Sequence, residues 1–271
     1  MKNEELKMKN KMFRMQALLR KAVYFSFFIN SVFKQRDSAK RASSFALAAL
    51  FVFHFSLSSA QVGDVRHDLC FGLSGGADMS FVDFSPRIKQ TIQPGACGGI
   101  VVRYTSEKYF SMLCAAQLEV NYTQRGWNEL IDDGSSNTYS RTTTYVEVPF
   151  LAHLSFGSEH RGAQFFLNAG PAVGWYLGGA EHYGYTAGHP WDVSSRPNHV
   201  TAQYGRAVER PFEYGIAGGL GVELLTAVGH FTLEGRYFFG LSDIYGNSKA
   251  DPFGRSANNT ISARLAYLFD L

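Results

Sequence analysis

Apolar and polar residues alternate with a period of two over most of the chain beyond residue 69. This period indicates β-strands whose two faces meet different surroundings. The alternation falls into eight stretches, at residues 69–81, 93–104, 110–125, 140–156, 163–178, 211–225, 230–241 and 259–269. The pattern therefore predicts an all-β fold of eight antiparallel strands.

The positions of the glycines indicate which face of these strands is the interior. Many of them lie on the polar face, as at Gly72, Gly99, Gly170, Gly219 and Gly240. An eight-stranded barrel has an interior just wide enough for side chains, so small residues belong inside it. We therefore predict that the polar face lines the interior and that the apolar face meets lipid, as in a transmembrane β-barrel.

The segments between the stretches alternate in length. The long ones are residues 82–92, 126–139, 179–210 and 242–258, and the short ones are 105–109, 157–162 and 226–229. Outer-membrane barrels have long extracellular loops and short periplasmic turns. The sequence thus predicts an eight-stranded antiparallel up-and-down transmembrane β-barrel, monomeric and surrounded by outer-membrane lipid. A soluble calycin-like ligand binder is the alternative with the same strand pattern.

Residues 1–60 are predicted to be an N-terminal extension and a signal peptide. The apolar run Phe45–Leu57 follows Lys40 and Arg41 and precedes Ser58-Ser59-Ala60, which is the arrangement of a secretory signal. We expect cleavage after Ala60, so that residues 61–271 form the mature barrel; the translation start within residues 1–42 stays open. With the aromatic Phe269 near the C-terminus, the signal predicts export to the outer membrane of a Gram-negative cell.

The charge of the chain is divided unevenly. The formal net charge is +3, from 26 basic and 23 acidic residues. Residues 1–60 hold 11 of the basic and 3 of the acidic residues, which leaves 15 basic and 20 acidic residues in 61–271. Because the predicted mature part is acidic overall, the basic character belongs to the leader, and we expect no nucleic-acid partner.

Five segments of the chain resemble the PorT-like outer-membrane β-barrel family. They are Leu118–Trp127, Tyr145–Gly157, Phe165–Gly179, Gly215–Leu224 and Phe231–Tyr245, and they span most of the predicted barrel. The resemblance implies an outer-membrane barrel. Since the family is named after a member implicated in type IX secretion, it also implies an accessory role in secretion, with other envelope or secretion proteins as partners. It implies no catalytic residue.

Four charged residues are predicted to lie inside the barrel near the middle of their strands. They are Glu119, Glu147, Arg236 and Arg264. In a ring of eight strands the third lies opposite the seventh and the fourth opposite the eighth, so the acids should face the arginines across the lumen. The charges could form a gate or a polar relay, but a packed polar core that plugs the barrel is the favoured interpretation.

Other residues with chemical potential form no recognisable catalytic or metal-binding motif, and we expect no cofactor and no metal. His182, His189 and His199 share the third long loop with Asp192, where a solvated surface loop is a better interpretation than a metal site. The cysteines are Cys70, Cys97 and Cys114. We expect them to act as small strand residues, with a disulfide as the alternative.

The most informative loop residues are aromatic. Tyr183, Tyr185, Trp191 and Tyr204 lie in the predicted third long loop, and protein interfaces favour such side chains. The predicted function is therefore a structural or interaction role through the extracellular loops. A lipid-modifying outer-membrane enzyme with a Ser–His pair at the rim is an alternative, although no triad spacing supports it.

Overall fold

A computed structural model describes residues 64–271, apart from positions 110, 133, 135–136, 159–160, 186–190 and 192–199. The side chains of residues 64 and 65 are also outside the description. The predicted leader, signal peptide and cleavage site all lie outside the described residues, as do His189, His199 and Asp192 of the third long loop.

The described residues form nine β-strands. They are β1 (Asp64–Ser85), β2 (Gln90–Thr91), β3 (Gln93–Tyr109), β4 (Met112–Glu129), β5 (Thr138–Gly157), β6 (Gly162–Gly184), β7 (Phe212–Thr226), β8 (Gly229–Gly240) and β9 (Arg255–Asp270). All pairings are antiparallel, and each long strand pairs with the next long strand along the chain. Pairing of β1 with β9 closes the ring. The two-residue β2 pairs only with the end of β4. The predicted eight-stranded up-and-down barrel is confirmed.

The two faces of the wall have opposite character, and the apolar face points outward. Leu73, Leu220 and Leu265 are 63%, 67% and 64% exposed, whereas the inward-facing Glu119 and Arg264 are 2% and 5% exposed. A water-soluble barrel would place its leucines inside and its charges outside. The soluble calycin-like alternative is therefore wrong.

The strands are longer than the alternation predicted, because the polar loop-end segments also join the ladders. The connections 86–92, 130–137, 185–211 and 241–254 are long, and 110–111, 158–161 and 227–228 are short. The alternation of long and short connections therefore holds. The start of β1 and the end of β9 both lie at the short-turn end. Tyr183, which was predicted to lie in a loop, belongs to β6 and pairs with Tyr139 of β5.

Two glycines allow the first and last strands to approach each other closely. Gly72 and Gly76 face the interior on β1, and a Cβ atom on either would collide with a backbone carbonyl oxygen of β9, at Tyr267 and Ala263 respectively. Any larger residue would force these strands apart at the point where they close the barrel. The glycines are thus required by the ring itself.

The apolar core of the protein lies at the long-loop end of the barrel. Its buried members are Val82, Phe84, Ile88, Trp127, Tyr139, Ile244, Tyr245 and Phe253. They come from strand ends and from the loops 86–92 and 241–254, and they form a layer that we call the loop-end lid. No helix among the described residues is long and apolar enough to span a membrane.

Candidate functional site: a polar lumen with a cavity at one mouth

The middle of the lumen is filled by an ion-paired group on β4, β8 and β9. Arg236 donates two hydrogen bonds to Glu119, with Nη1–Oε2 and Nη2–Oε1 distances of 2.8 and 2.7 Å. Arg264 Nη1 lies 3.1 Å from the same carboxylate, and Glu234 accepts from Arg236 Nε at 2.8 Å. The four side chains are at most 7% exposed. Their charges neutralise one another, which a buried charge requires.

A second ion-paired group lies nearer the loop-end lid. Arg125 of β4 forms salt bridges with Glu147 of β5 and with Glu213 of β7. Its guanidinium carbon lies 4.0 Å from the ring centroid of Phe238, within the range of a cation–π contact. Asn258 donates to Glu213 over 2.7 Å. The group therefore links five strands across the lumen.

The structure pairs two of the four predicted interior charges differently from the expectation. Glu119 and Arg236 meet across the lumen, but Glu147 lies against Arg125 on the neighbouring strand. Arg264 instead reaches Glu119 and the Asn121 amide oxygen. The prediction placed opposite strands at equal heights, whereas the strands of a barrel are tilted and staggered. In the β4–β5 register Glu147 is paired with Asn121, and the long side chain of Arg125 reaches it from four residues further along β4.

At the short-turn end the lumen widens into a cavity of about 430 Å³. Arg103 Nη1 donates to both oxygens of Glu223, at 2.8 and 2.6 Å. Glu223 also accepts from the Nδ1 side of His230 at 2.8 Å, and His153 stacks on Phe166 with ring centroids 5.0 Å apart. The cavity is thus lined by charged and ionisable groups at the short-turn end of the barrel.

Three further groups meet at the rim of this cavity. Cys70 Sγ donates to Asp270 Oδ1 over 3.0 Å, and His230 Nε2 lies 3.4 Å from the same oxygen. One possible ligand atom from each residue lies within 4.8 Å of the others. The sequence analysis missed this group. The alternation does place Cys70, His230 and Asp270 on the inward faces of β1, β8 and β9, near the short-turn ends of these strands, and this could have indicated the group.

The predicted contact residues of the third loop divide into two kinds. Trp191 packs edge-on against Tyr183 and Tyr204, with ring centroids 5.0 and 5.3 Å apart, and Tyr204 packs on Tyr139 at 4.9 Å. These rings extend the loop-end lid. Tyr185 is 65% exposed. Of the four aromatics, it presents the most surface to a partner.

The lid is tied to the strands by one buried arginine. Arg141 Nη1 donates to Glu181 at 2.6 Å, to the Arg206 carbonyl at 2.5 Å and to the Tyr245 hydroxyl at 3.0 Å. Burial raises the pKa of Tyr245 to about 12, so its hydroxyl stays neutral and remains a partner for Arg141 at physiological pH. The loops 185–211 and 241–254 therefore share one anchor.

The three cysteines are free, with Cys70 and Cys97 buried and Cys114 partly exposed. The disulfide that the sequence left open is therefore not formed in the structure. His182 belongs to β6 rather than to the loop, and it pairs with Ser140.

Several solved structures are similar to this chain at low sequence identity. Neisserial surface protein A is 14% identical, with 73% of this chain and 97% of that chain covered and a TM-score of 0.35. Ail of Yersinia pestis is 11% identical, with coverages of 74% and 98% and a TM-score of 0.33. OprG of Pseudomonas aeruginosa is 11% identical, with coverages of 76% and 98% and a TM-score of 0.37. No curated protein gives a significant match.

A family model is more informative than these distant structures. The model described as an outer membrane protein beta-barrel domain matches residues 58–246, which is more than half of the chain. The match agrees with the closed antiparallel ring and with its apolar outer face. The chain belongs to this family of outer-membrane β-barrels, and its place is the outer membrane.

Proposed function

We propose that this protein is a closed, non-enzymatic barrel that acts through its extracellular loops by contacting a partner in the envelope. The observation that carries the proposal is the ion-paired lumen. Glu119, Arg125, Arg236 and Arg264 are at most 5% exposed, and each has an oppositely charged neighbour. A solute crossing the barrel would have to break these pairs in a confined interior.

The cost of opening such a lumen argues against transport. Removing one partner from a buried ion pair typically costs about 3–5 kcal/mol, and a continuous path would disturb both groups of pairs. The loop-end lid lies above them with Trp127 and Tyr139 fully buried. The protein should therefore act through its exposed surfaces. The long loops offer a larger surface than the short turns do.

Conductance in planar bilayers tests the closed state. We expect reconstituted wild-type protein to show no steady channel. The control is the double variant Glu119→Ala with Arg236→Ala, which removes the central pair and should raise the frequency of current events if the pair is what blocks the lumen. A steady open channel in the wild type would refute the proposal.

Tyr185 is the best residue for testing the loop contact, because it is exposed and outside the lid packing. Crosslinking in intact cells, followed by purification of the barrel, should recover an envelope protein from the wild type and less of it from Tyr185→Ala. Tyr109 provides a matched control, since it is 42% exposed at the short-turn end. Equal recovery from Tyr185→Ala and from the control Tyr109→Ala, or no crosslinked product, would count against a loop partner.

We extend the proposal to an accessory role in type IX-like protein secretion, in line with the resemblance to the PorT-like family. Support comes from the sequence similarity, and the closed lumen is compatible with an accessory rather than a conduit. Deletion of the gene should leave secreted cargo in the periplasm. Normal secretion would limit the role to other partners, whereas altered lipid masses in the deletion strain would favour the lipid-modifying alternative.

A further inference from the structure

We propose that the short-turn mouth of the barrel holds a zinc ion, bound by Cys70, His230 and Asp270. One potential ligand atom from each of these side chains lies within 4.8 Å of the other two. Sulfur, imidazole nitrogen and carboxylate oxygen are the three ligand types that Zn²⁺ takes in proteins. This inference is independent of the proposed loop function, because the group lies at the opposite end of the barrel.

Two of the three distances between the possible ligand atoms are close to those of a tetrahedral site. With zinc–ligand bonds of about 2.0–2.3 Å, neighbouring ligand atoms are roughly 3.3–3.6 Å apart. Asp270 Oδ1 lies 3.4 Å from His230 Nε2 and 3.0 Å from Cys70 Sγ. Relative to Asp270 the sulfur has to move by only a few tenths of an ångström, and it lies within 4.8 Å of an imidazole nitrogen of His230. Without the ion, the thiol donates a hydrogen bond to Asp270, which holds both groups in place.

The backbone already brings the ligands together. Cys70 and Asp270 are directly paired across β1 and β9. His230 pairs with Leu268 of β9, which faces the same side of that strand as Asp270. The three side chains thus project into one mouth from three adjacent strands, and no loop has to close around the ion.

A second observation separates this group from a chance cluster. Glu223 accepts a hydrogen bond from the Nδ1 side of His230 at 2.8 Å, and Arg103 holds Glu223 by two further hydrogen bonds. Metal-binding histidines almost always donate their second ring nitrogen to a carboxylate, which fixes the tautomer that exposes the ligating nitrogen. This arrangement leaves Nε2 of His230, which lies 3.4 Å from Asp270 Oδ1, as the ligating nitrogen.

The cavity of about 430 Å³ adjoins the proposed site. Three protein ligands with one position left for water are typical of open zinc sites, whereas structural sites use four protein ligands. The cavity is therefore where a fourth ligand, a water or a small anion, would enter. When Zn²⁺ binds, the Cys70 thiol loses its proton to the buffer, and the sulfur–zinc bond replaces the hydrogen bond to Asp270.

Metal binding would also stabilise the pairing of β1 with β9, which closes the barrel. β1 and β9 are the first and last strands, and the site joins them to each other and to β8. A ligand that binds only the folded state raises its stability as the ligand concentration exceeds the dissociation constant. We therefore expect zinc to raise the temperature at which the barrel unfolds on a denaturing gel.

The test uses the full mature barrel, folded in detergent, treated with chelator and dialysed. Calorimetric titration with zinc chloride should show one saturable site, and repetition in buffers of different ionisation enthalpy should show release of about one proton. Cobalt(II) in place of zinc should give a thiolate-to-metal charge-transfer band. Cys70→Ser should abolish that band, whereas Cys97→Ser, a change at another buried inward cysteine, should retain it.

Two further variants keep the test sharp if Cys70→Ser folds poorly. Asp270→Asn changes a rim residue whose side chain is 66% exposed, so the barrel should still fold while zinc affinity falls at least tenfold. Glu223→Gln should weaken binding by about 10–100-fold, the usual effect of losing the partner of a ligating histidine. Absence of saturable zinc binding to the wild type, or equal cobalt spectra for Cys70→Ser and Cys97→Ser, would overturn the proposal.

Discussion

The pair of Glu119 and Arg236 offers the most direct test of how the lumen is held together. Two hydrogen bonds of 2.8 and 2.7 Å join them in a side-by-side arrangement, and Glu119 also lies 3.1 Å from Arg264. We expect Glu119→Leu to lower the free energy of unfolding by about 3–5 kcal/mol, because it leaves two buried guanidinium groups without their shared carboxylate. Arg236→Leu should cost a similar amount, since it removes the Arg236 partner of Glu234 and leaves Glu119 with Arg264 as its remaining cationic neighbour.

The double variant distinguishes a true ion pair from two independent packing defects. Replacing both partners removes the uncompensated charge, so the loss should be about 1–3 kcal/mol smaller than the sum of the single losses. Glu213 with Arg236 provides the control cycle. Arg236 pairs with Gly219, six residues from Glu213 along β7, a separation of roughly 20 Å at 3.3 Å per residue. This control cycle should be additive.

Reversible unfolding in urea, followed by tryptophan fluorescence in lipid vesicles, measures both cycles. Heat-modified mobility on a denaturing gel checks that every variant folds before it is titrated. Strict additivity of the Glu119–Arg236 cycle would mean that the two charges are separately solvated. In that case the lumen would hold water, and the closed-barrel argument would fail.

Four other predictions address the wall, the leader and a loop. Leu265→Arg places a cation in hydrocarbon and should cost roughly 2–4 kcal/mol near the midplane; insertion as efficient as that of Leu265→Ala would reverse the assignment of the faces. Gly219→Phe should prevent folding, because even a Cβ there would meet the Glu234 carboxylate; a heat-modifiable product would contradict this. The mature N-terminus should be Gln61 by peptide mass spectrometry, and peptides from residues 1–40 in the membrane-extracted protein would disprove it. Hydrogen bonds from Ser248 hold the pKa of Asp251 below its ordinary 3.8, so its contribution to loop order is present above that value and lost as the pH falls through the lowered pKa. Protease sensitivity of the loop should therefore rise only in strong acid, and Asp251→Asn should remove that dependence.

The period-two alternation was sufficient to predict the barrel because one physical constraint acts on every strand. A residue on the wall faces either lipid or a crowded polar interior, so Leu265 and Arg264 have to differ in kind. The glycines indicated which face of the strands is the interior. Gly72 and Gly76 lie on the polar face, and the structure shows that no Cβ fits at either position.

The pairing of the interior charges depended on a quantity that the alternation does not contain. Alternation tells which side a residue faces, but the stagger between strands sets its height along the barrel axis. Glu147 and Arg264 were matched by strand order alone, and the structure gives them different partners. The group of Cys70, His230 and Asp270 was missed because its members are far apart in sequence and meet only through the pairing of β9 with β8 and with β1.

The exposure of the loop aromatics could not be predicted from the sequence, because an aromatic side chain can either pack inside a loop or face a partner. Trp191 and Tyr204 looked like contact residues, yet they pack against Tyr139 and extend the lid. A buried aromatic layer between the ion pairs and the solvent also lowers the effective dielectric around those pairs, which strengthens their attraction. The lid therefore stabilises the closed lumen, while Tyr185 stands outside it. A partner that docks on Tyr185 can bind without disturbing the lid, so loss of that contact and loss of barrel stability should be separable by mutation.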